Sequence, residues 1–272
     1  MLFPLWDLNP HNRFPIITLL IIAMNVAVTA WTWSLPQAQQ TRIALEYGFV
    51  PARLTHAGKG KVVDGQVKAI EIQRGKPVRV PGPAVHLSAE PGEVYLTFLT
   101  TMFLHGGWGH LLMNMWMLWI FGNNIEDRLG HLMYSVFYLL GGVLATLCFW
   151  ASDPEGFMPV IGASGAVAAV LGAYAVTFPT AKVRTFVFLI LFTIIDLPAL
   201  VVLGLWFALQ VVSGLIGMWG VALEPVAFWS HIGGFVAGMI LMPLFTLGAS
   251  PPGKDWRKEA EQMFSYEDPR FQ

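Results

Sequence analysis

Long apolar runs separated by short polar stretches fill the chain between residues 15 and 247. A helix that crosses a membrane needs about 20 mostly apolar residues, and six runs reach about that length. The pattern therefore predicts six membrane spans, at residues 15–35, about 99–121, about 132–150, about 160–178, within 187–218, and about 227–247.

The fifth run is too long for one span and is interrupted by Asp196 and Pro198. We place its helix after these two residues. Residues 185–195 are then expected to lie at the membrane surface or to re-enter it, with Asp196 at the interface.

The connection between the first two runs, about residues 36–96, is long and polar, which indicates an extramembrane loop. Within it, Asp64-Gly65 stands between β-prone residues, an arrangement that favours a tight hairpin turn. Ala69–Gln73 and Val78–Val80 are candidates for a further strand. The predicted fold class is an all-α, six-helix polytopic membrane bundle with a small extramembrane β-hairpin in the first loop.

The composition agrees with a membrane protein. Of the 272 residues, 55% are hydrophobic and only 12% are charged, whereas a soluble domain carries roughly 25% charged residues. This composition argues against an ordinary soluble enzyme and excludes a disordered chain. The net charge of −1 gives no basic face, so we expect no nucleic-acid partner.

The charges of the short loops indicate the orientation of the chain. With the N-terminus in the cytoplasm, the opposite short loops contain Asp153, Glu155 and Glu224 but no lysine or arginine. The cytoplasmic segments then contain Arg13, Arg128, Lys182, Arg184, Lys254, Arg257 and Lys258. The exception is the long first loop, which carries several basic residues, but loops of this length count little in the rule.

We therefore expect both termini in the cytoplasm, in the plasma membrane of a prokaryote. The chain divides into a cytoplasmic N-terminus at 1–14, a six-helix membrane domain at 15–247, and a polar cytoplasmic tail at 248–272. The first loop at 36–96 lies outside the cytoplasm in this arrangement.

Polar side chains at membrane depth are costly and favour a functional interpretation. The second run contains His105, His110 and Asn114, and the last two are four residues apart, on one helix face. The fourth run opens around Ser164 and the sixth around His231. In the predicted topology all of these residues lie near the extracytoplasmic side, so we expect them at one depth.

These residue types suit acyl transfer. A serine hydroxyl becomes a nucleophile when a base removes its proton, and histidine is the usual base. An oxyanion needs preorganised donors, such as an asparagine side chain or a backbone amide. Ser164, His231 and Asn114 supply these roles, and no carboxylate accompanies His231 in its run, so a dyad is expected. Residues 162–166 miss the G-x-S-x-G elbow of soluble α/β-hydrolases.

Each of these residues also has a structural interpretation when taken alone. A serine between glycines is typical of close helix packing, and Asn114 is typical of a hydrogen bond between helices. His105 and His231 are each typical of a membrane interface. The combination favours catalysis, because one reaction uses the serine, the histidine and the asparagine together.

At these residues the chain resembles the rhomboid family of intramembrane serine proteases. His110–Asn114 is similar to the family's H-x-x-x-N motif, Gly162–Gly165 to its G-x-S-G motif, and His231–Gly238 to its H-x-x-G-x-x-x-G motif. Gly122–Gly130 is similar to the turn after the family's second helix. The resemblance covers roughly residues 13–247.

The resemblance implies a helical bundle with a water-accessible cavity that opens outward. It implies Ser164 as the nucleophile and His231 as the general base and acid. Asn114 and His110 would stabilise the oxyanion, together with the Ser164 amide. The implied substrates are single-span membrane proteins in the lipid bilayer, cut near the membrane surface, and the implied chemistry needs no cofactor or metal. The oligomeric state stays open.

Small residues are expected to pack the two helices of the dyad. Gly234 and Gly238 form a G-x-x-x-G face on the sixth run, which allows close approach to another helix. The fourth run offers a matching small stripe at Ser164, Ala168 and Gly172, and Gly162 and Gly165 are also expected to take part in the packing. Some relatives carry an aromatic residue at the position of Ala168, against the histidine, so the resemblance leaves open what orients His231 here.

Three other functions stay open on sequence grounds. A catalytically inactive rhomboid-like protein would bind membrane clients without cutting them. A zinc site would use the imidazoles of His105, His110 and His231. Six spans also suit a transporter, although the chain has no internal repeat and no paired intramembrane charges.

Overall fold

A computed structural model describes residues 2–60, 62–73, 76–188, 192–218 and 227–247 of the chain. The helices in this part of the chain are α1 (Ile16–Trp33), α2 (Gln37–Tyr47), α3 (Pro51–Thr55), α4 (Pro91–Thr100), α5 (Trp108–Leu129), α6 (His131–Ser152), α7 (Ser164–Thr177), α8 (Ala199–Met218) and α9 (Phe228–Phe245). The strands are β1 (Leu2–Asp7), β2 (Val62–Gln73), β3 (Lys76–Ser88), β4 (Lys182–Phe188) and β5 (Phe192–Pro198).

Four described helices are long and apolar enough to cross a membrane, namely α1, α6, α8 over Ala199–Ile216, and α9. The chain is therefore a multi-pass membrane protein with a mostly helical fold. The predicted second and fourth runs correspond to α5 and α7. Helix α7 has only 14 residues, and α5 ends in the charged residues Glu126, Asp127 and Arg128. The six-span count stays a prediction.

The second predicted run is not one helix. The structure divides it into α4, a 3₁₀ turn at Thr101–Phe103, and α5, which begins only at Trp108. His105 therefore lies in the loop before α5 and not within the span, contrary to the prediction. His110 and Asn114 lie on α5, in its first two turns.

The fold is mostly helical, but the prediction that β-structure is limited to the first loop is wrong, because the described residues form two small antiparallel sheets. Strands β2 and β3 pair in the first loop, while β1, β4 and β5 form a three-stranded sheet in the order β1-β4-β5. The predicted turn at Asp64-Gly65 is also wrong, since Asp64 pairs with His86 and Gly65 with Val85 inside the ladder. Gly65 allows close packing instead, because a Cβ there would overlap the ring of Phe157.

The segment predicted at the membrane surface between the fourth and fifth helices contributes most of β4 and most of β5. Asp196 accepts two hydrogen bonds from the Arg184 guanidinium, at 2.7 and 3.0 Å, across these two strands. This bidentate pair lowers the pKa of Asp196 below its usual value. The N-terminal segment, for which no structure was predicted, pairs with β4 through β1.

Helix α7 lies at the centre of the bundle. All eleven residues from Gly165 to Ala175 are buried, and the helix packs against α5, α6, α8 and α9. Its many small residues suit this position, because small side chains let neighbouring helices approach closely. This central position accounts for its short, alanine-rich and glycine-rich sequence.

A buried carboxylate joins the start of α1 to the end of α5. Glu126 accepts hydrogen bonds from the amides of Ile17 and Thr18, both at 2.8 Å, and from Thr18 Oγ1 at 2.7 Å. These amides open α1, whose N-cap residue Pro15 offers no side-chain cap. The acceptor on α5 therefore satisfies donors that α1 cannot pair by itself.

The segment Gly122–Gly130, expected to be a turn, is mostly helical. Helix α5 continues to Leu129, and the chain reverses at Gly130, whose φ of 76° favours glycine. Glu126 and Asp127 lie in the last helical turns, where Asp127 accepts from the backbone of Arg13 at 2.9 Å. Residues 248–272, predicted to form a cytoplasmic tail, lie outside the described residues.

Asp7 at the end of β1 is held inside the fold. Its Oδ2 accepts a hydrogen bond from the Tyr174 hydroxyl at 2.6 Å and another from Asn124 Nδ2 at 2.8 Å. Burial raises the pKa of the Asp7 carboxyl to about 7, well above its ordinary value of 3.8. The folded chain therefore holds this proton at pH values where the unfolded chain releases it.

We predict that this linkage makes the fold less stable as the pH rises from about 4 to about 7, because the unfolded state then binds fewer protons. Asp7→Asn keeps the size of the side chain and removes the ionisation. It should match the wild type near pH 4 and exceed its thermal midpoint near pH 8. Tryptophan fluorescence in detergent measures both midpoints. The exposed Asp153 gives the control Asp153→Asn, and an Asp7→Asn curve that parallels the wild type would contradict the prediction.

Candidate active site

Ser164 is the first residue of α7, and its side chain is half-buried. The first backbone hydrogen bond of the helix joins the Val167 amide to the Ala163 carbonyl at 2.9 Å. The amide of Ser164 precedes this ladder, so it has no partner within the helix. The helix N-terminus therefore places an N–H without an intrahelical partner beside the serine hydroxyl, where the macrodipole favours negative charge.

The turn before Ser164 is fixed by the residues that precede α5. The amide of Gly162 donates to the carbonyl of Thr101 at 2.9 Å, and the amide of Ala163 lies 3.5 Å from Nε2 of His105. Gly162 has a φ of 130°, a conformation that side chains rarely adopt. The sequence thus needs glycine here for its backbone angle.

The first loop also supports this turn. Phe49 and Val160 form an isolated antiparallel bridge, with N–O distances of 3.0 and 2.8 Å. Phe157 packs against the buried Val85 and Leu87 of β3. The hairpin of the first loop, to which the sequence assigned no role, therefore packs against the segment that leads to Ser164.

Helices α7 and α9 are in backbone contact. A Cβ at Gly234 would overlap the carbonyl oxygen of Gly165, and one at Gly238 would overlap the carbonyl oxygen of Ala169. On the opposite helix, a Cβ at Gly172 would overlap the carbonyl oxygen of Phe235. These contacts match the small faces described from the sequence.

The same contact brings the serine and the histidine to one level of the bundle. A Cβ at Gly165 would lie 2.7 Å from Oγ of Ser230, so the residue after Ser164 contacts the residue before His231. Among the described residues, Ser164 and His231 share no hydrogen bond. Catalytic hydrogen bonds are often long in the absence of substrate and shorten when it binds.

His110 and Asn114 of α5 line the other side of the turn. A Cβ at Gly162 would meet Nε2 of His110 at 2.8 Å and Nδ2 of Asn114 at 3.7 Å. Asn114 is 7% exposed, and its Nδ2 has no hydrogen-bond partner among the described residues. A buried donor without a partner is costly, and it is the group that an oxyanion site requires.

A sequence model of the Rhomboid domain matches residues 92–247, which is more than half of the chain. The chain belongs to the rhomboid family. The match begins in α4 and ends just after α9, so it contains all of the candidate site residues and leaves out α1, α2 and the hairpin of the first loop.

Known rhomboid proteins from several kinds of organism are similar to this chain. Rhomboid-like protein 11, chloroplastic, of Arabidopsis thaliana is 30% identical over 151 residues, which cover 55% of this chain and 52% of the relative. Rhomboid protein 1, mitochondrial, of Saccharomyces cerevisiae is 33% identical over 97 residues, 34% of this chain and 28% of the relative. A rhomboid of Bacillus subtilis, YdcA, is 30% identical over 89 residues, 33% of this chain and 44% of the relative. The match thus spans about half or less of each relative.

His231 of this rhomboid contacts helix α8, a contact that sequence reasoning missed. Its Nδ1 lies 2.9 Å from Oε1 of Gln210, and its ring centroid lies 6.0 Å from that of Trp206. The signal was present in the sequence, because Gln210 is a strongly polar residue in an otherwise apolar helix.

His105 has a structural role beside the site. Its Nδ1 lies 3.4 Å from Thr29 Oγ1 of α1, and its backbone carbonyl accepts from Trp33 Nε1 at 3.2 Å. The His105 ring meets the edge of the His110 ring at a centroid distance of 5.1 Å. In the part of the chain that the structure describes, no three His, Cys, Asp or Glu residues are arranged to hold a metal ion, so the zinc alternative gains no support.

A groove of about 490 Å³ borders the turn that leads to Ser164. Its lining includes Trp33, Ile43, His105, Met158 and Ile161. The groove is therefore lined both by the first loop and by the segment that leads to α7, as far as Ile161.

Arg53 is a second residue that the sequence did not single out. It is 2% exposed and donates to the backbone carbonyls of Ser88 at 2.6 Å and of Glu46 at 2.8 Å. A buried guanidinium is stable only when such acceptors surround it. Arg53 thereby joins α2, α3 and β3 within the first loop.

We predict that Gly234→Ala separates α7 from α9, because the added methyl overlaps backbone and cannot rotate away. The free energy of unfolding should fall by about 1–3 kcal/mol, the usual cost of overpacking. The control is Gly204→Ala on α8, where a Cβ meets nothing within 4 Å. Denaturation in detergent followed by tryptophan fluorescence compares the two, and equal stabilities would contradict the prediction.

We predict that Asn114→Leu separates stability from activity. Removal of an unpaired buried donor should leave the stability unchanged or raise it by about 1 kcal/mol. If Asn114 is the oxyanion donor that the family resemblance implies, its loss should also lower the kcat of peptide cleavage roughly 10²–10³-fold, with little change in KM. The control is Asn123→Leu at the far end of α5, which should lose stability and keep kcat. An Asn114→Leu variant with wild-type kcat would exclude the oxyanion role.

Proposed function

We propose that this rhomboid is an intramembrane serine endopeptidase that cleaves single-span membrane proteins near the membrane surface. Ser164 is the nucleophile and His231 is the general base and acid, in a dyad without a carboxylate. The observation that carries the proposal is the backbone contact between α7 and α9 at Gly165 and Gly234, which supports the two side chains as neighbours.

The reaction follows from these groups. His231 takes the proton from Ser164 Oγ as this oxygen attacks the carbonyl carbon of the substrate. The imidazolium then gives the proton to the leaving amine, and the C–N bond breaks to leave an acyl-enzyme. His231 next deprotonates a water molecule, which hydrolyses the ester and restores the serine hydroxyl.

The donors of the site stabilise the oxyanion of both tetrahedral intermediates. The Ser164 amide at the start of α7 and the unpaired Nδ2 of Asn114 are the two principal donors. His110, which lies beside Gly162, is the third candidate donor. None of these donors carries a formal charge, so the site avoids the cost of burying one before the substrate binds.

The substrate class follows from the place of the site in a membrane bundle. A helical substrate hides its carbonyl groups in its own hydrogen bonds, so it must unwind locally before attack. Non-helical backbone at membrane depth is tolerated where protein or water surrounds it. The groove lined by Trp33, His105 and Met158 supports such a position for an unwound segment.

Contacts between loops support the six-span topology. Strand β1 precedes α1 and pairs with β4, which follows α7, so both strands lie on one side of the membrane. An even number of crossings must separate them, and α1, α5, α6 and α7 give four. The bridge between Phe49 and Val160 likewise requires an even number, which α5 and α6 provide.

The same topology places Arg13, Lys182 and Arg184 on the side of the N-terminus, in agreement with the positive-inside rule. We therefore propose a cytoplasmic N-terminus, with the site near the opposite face. A plasma membrane of prokaryotic type and a cytoplasmic C-terminus belong to the same proposal.

We predict that Ser164→Ala and His231→Ala each abolish cleavage of a single-span reporter, because each removes a group that the first step requires. Purified protein in vesicles, with the released ectodomain measured by gel, gives the rate. A fluorophosphonate probe should label the wild type and not Ser164→Ala. The matched control is Ser135→Ala on α6, which should keep full activity.

Two outcomes would contradict the proposal. Cleavage by purified Ser164→Ala would exclude this serine as the nucleophile. Reporter binding without cleavage and without labelling of Ser164 in the wild type would favour the inactive, client-binding alternative.

A further inference from the structure

His231 lacks an aromatic neighbour from α7 at the position where some rhomboids carry one. That position is Ala168, whose Cβ faces Gly234 on α9. A histidine that acts as a base through Nε2 must carry its proton on Nδ1, and a hydrogen bond from Nδ1–H selects this tautomer. Some other residue must therefore accept from Nδ1 if His231 is to act in this way.

Helix α8 provides the acceptor. Oε1 of Gln210 lies 2.9 Å from Nδ1 of His231, and both side chains are half-buried. Trp206 is four residues earlier, on the same face of α8, with its ring tilted 35° to the imidazole. One side chain thus bonds the edge of the imidazole while the other packs near it.

We propose that Gln210 is the positioning residue of the dyad: it holds His231 in the Nδ1–H tautomer and leaves Nε2 as the base for Ser164. This inference rests on the proposed function. Gln210 acts only through His231 and transfers no proton itself, since an amide oxygen accepts a hydrogen bond without becoming protonated at neutral pH.

An amide suits this membrane site better than the aspartate of soluble serine proteases. A buried carboxylate would need compensation for its lost hydration, whereas a neutral amide costs much less. Among the described residues, this hydrogen bond is also the one that joins α8 to α9. The orientation of His231 therefore depends on the position of α8. Only 22% of the membrane-spanning part of α8 is buried in the protein, against 39% of that of α9.

The kinetic test compares two variants of the full-length protein in vesicles. Gln210→Met keeps the length of the side chain but removes the oxygen acceptor, and we expect kcat to fall at least roughly tenfold with KM unchanged. The loss is bounded by the ~10²–10⁴-fold that a positioned base contributes. Gln210→Glu keeps an acceptor oxygen and should recover most of kcat. Ser213→Ala, one turn further along α8, is the matched control.

The spectroscopic test reads the tautomer directly. Nitrogen-15 NMR of histidine-labelled protein in vesicles, with the His231 signal assigned from a His231→Gln sample, distinguishes Nδ1–H from Nε2–H. We expect Nδ1–H in the wild type and a shift toward Nε2–H in Gln210→Met. A merely structural role of Gln210 would lower stability without moving this signal.

The outcomes separate this inference from the proposed function. If the wild type cleaves the reporter but Gln210→Met keeps its kcat and the Nδ1–H signal, the positioning role is overturned and the protease remains. If the wild type neither cleaves nor labels with fluorophosphonate, the proposed function fails. In that case an unchanged tautomer in Gln210→Met would overturn the hydrogen-bond assignment as well.

Discussion

The contact of backbone with backbone between α7 and α9 is the constraint on which the candidate site depends. Gly165, Gly172, Gly234 and Gly238 leave no room for a Cβ, so the two helices approach as closely as their main chains allow. Apolar surface gives little net attraction between helices in lipid, and close van der Waals packing takes its place. The same packing determines the depth at which the start of α7 meets the start of α9, and hence where a serine and a histidine can act together.

Elements outside α7 and α9 fix the backbone that leads to Ser164. The turn at Gly162 is bonded to Thr101 and lies beside His105, and the segment before it is bridged to Phe49 and packed against the hairpin. At the opposite end, Glu126 pairs the open amides of α1. In both places a distant part of the chain satisfies the backbone donors or acceptors of a segment. This matters more in lipid than in water, because no solvent replaces a missing partner.

Sequence patterns located the helices well and their ends poorly. Run length and hydropathy indicated where α1, α6, α8 and α9 would lie, because each of these helices exposes much of its length to lipid and must be apolar. They failed at the second run, where the 3₁₀ turn at Thr101–Phe103 and the loop containing His105 divide a stretch that run length and hydropathy indicated as one helix. They failed again at Asp64-Gly65, because a glycine required for contact with Phe157 has the same local signature as a glycine in a turn.

The sequence by itself determined the class of protein, the family resemblance and the residue types offered for catalysis, since these follow from hydropathy and from motifs within single helices. The tertiary structure alone decided that Gln210 contacts His231, that the Asn114 amide nitrogen has no partner among the described residues, and that Phe157 packs against the hairpin. Each of these contacts joins residues from different elements. Their distances depend on how the helices pack, and no local pattern in the chain contains that information.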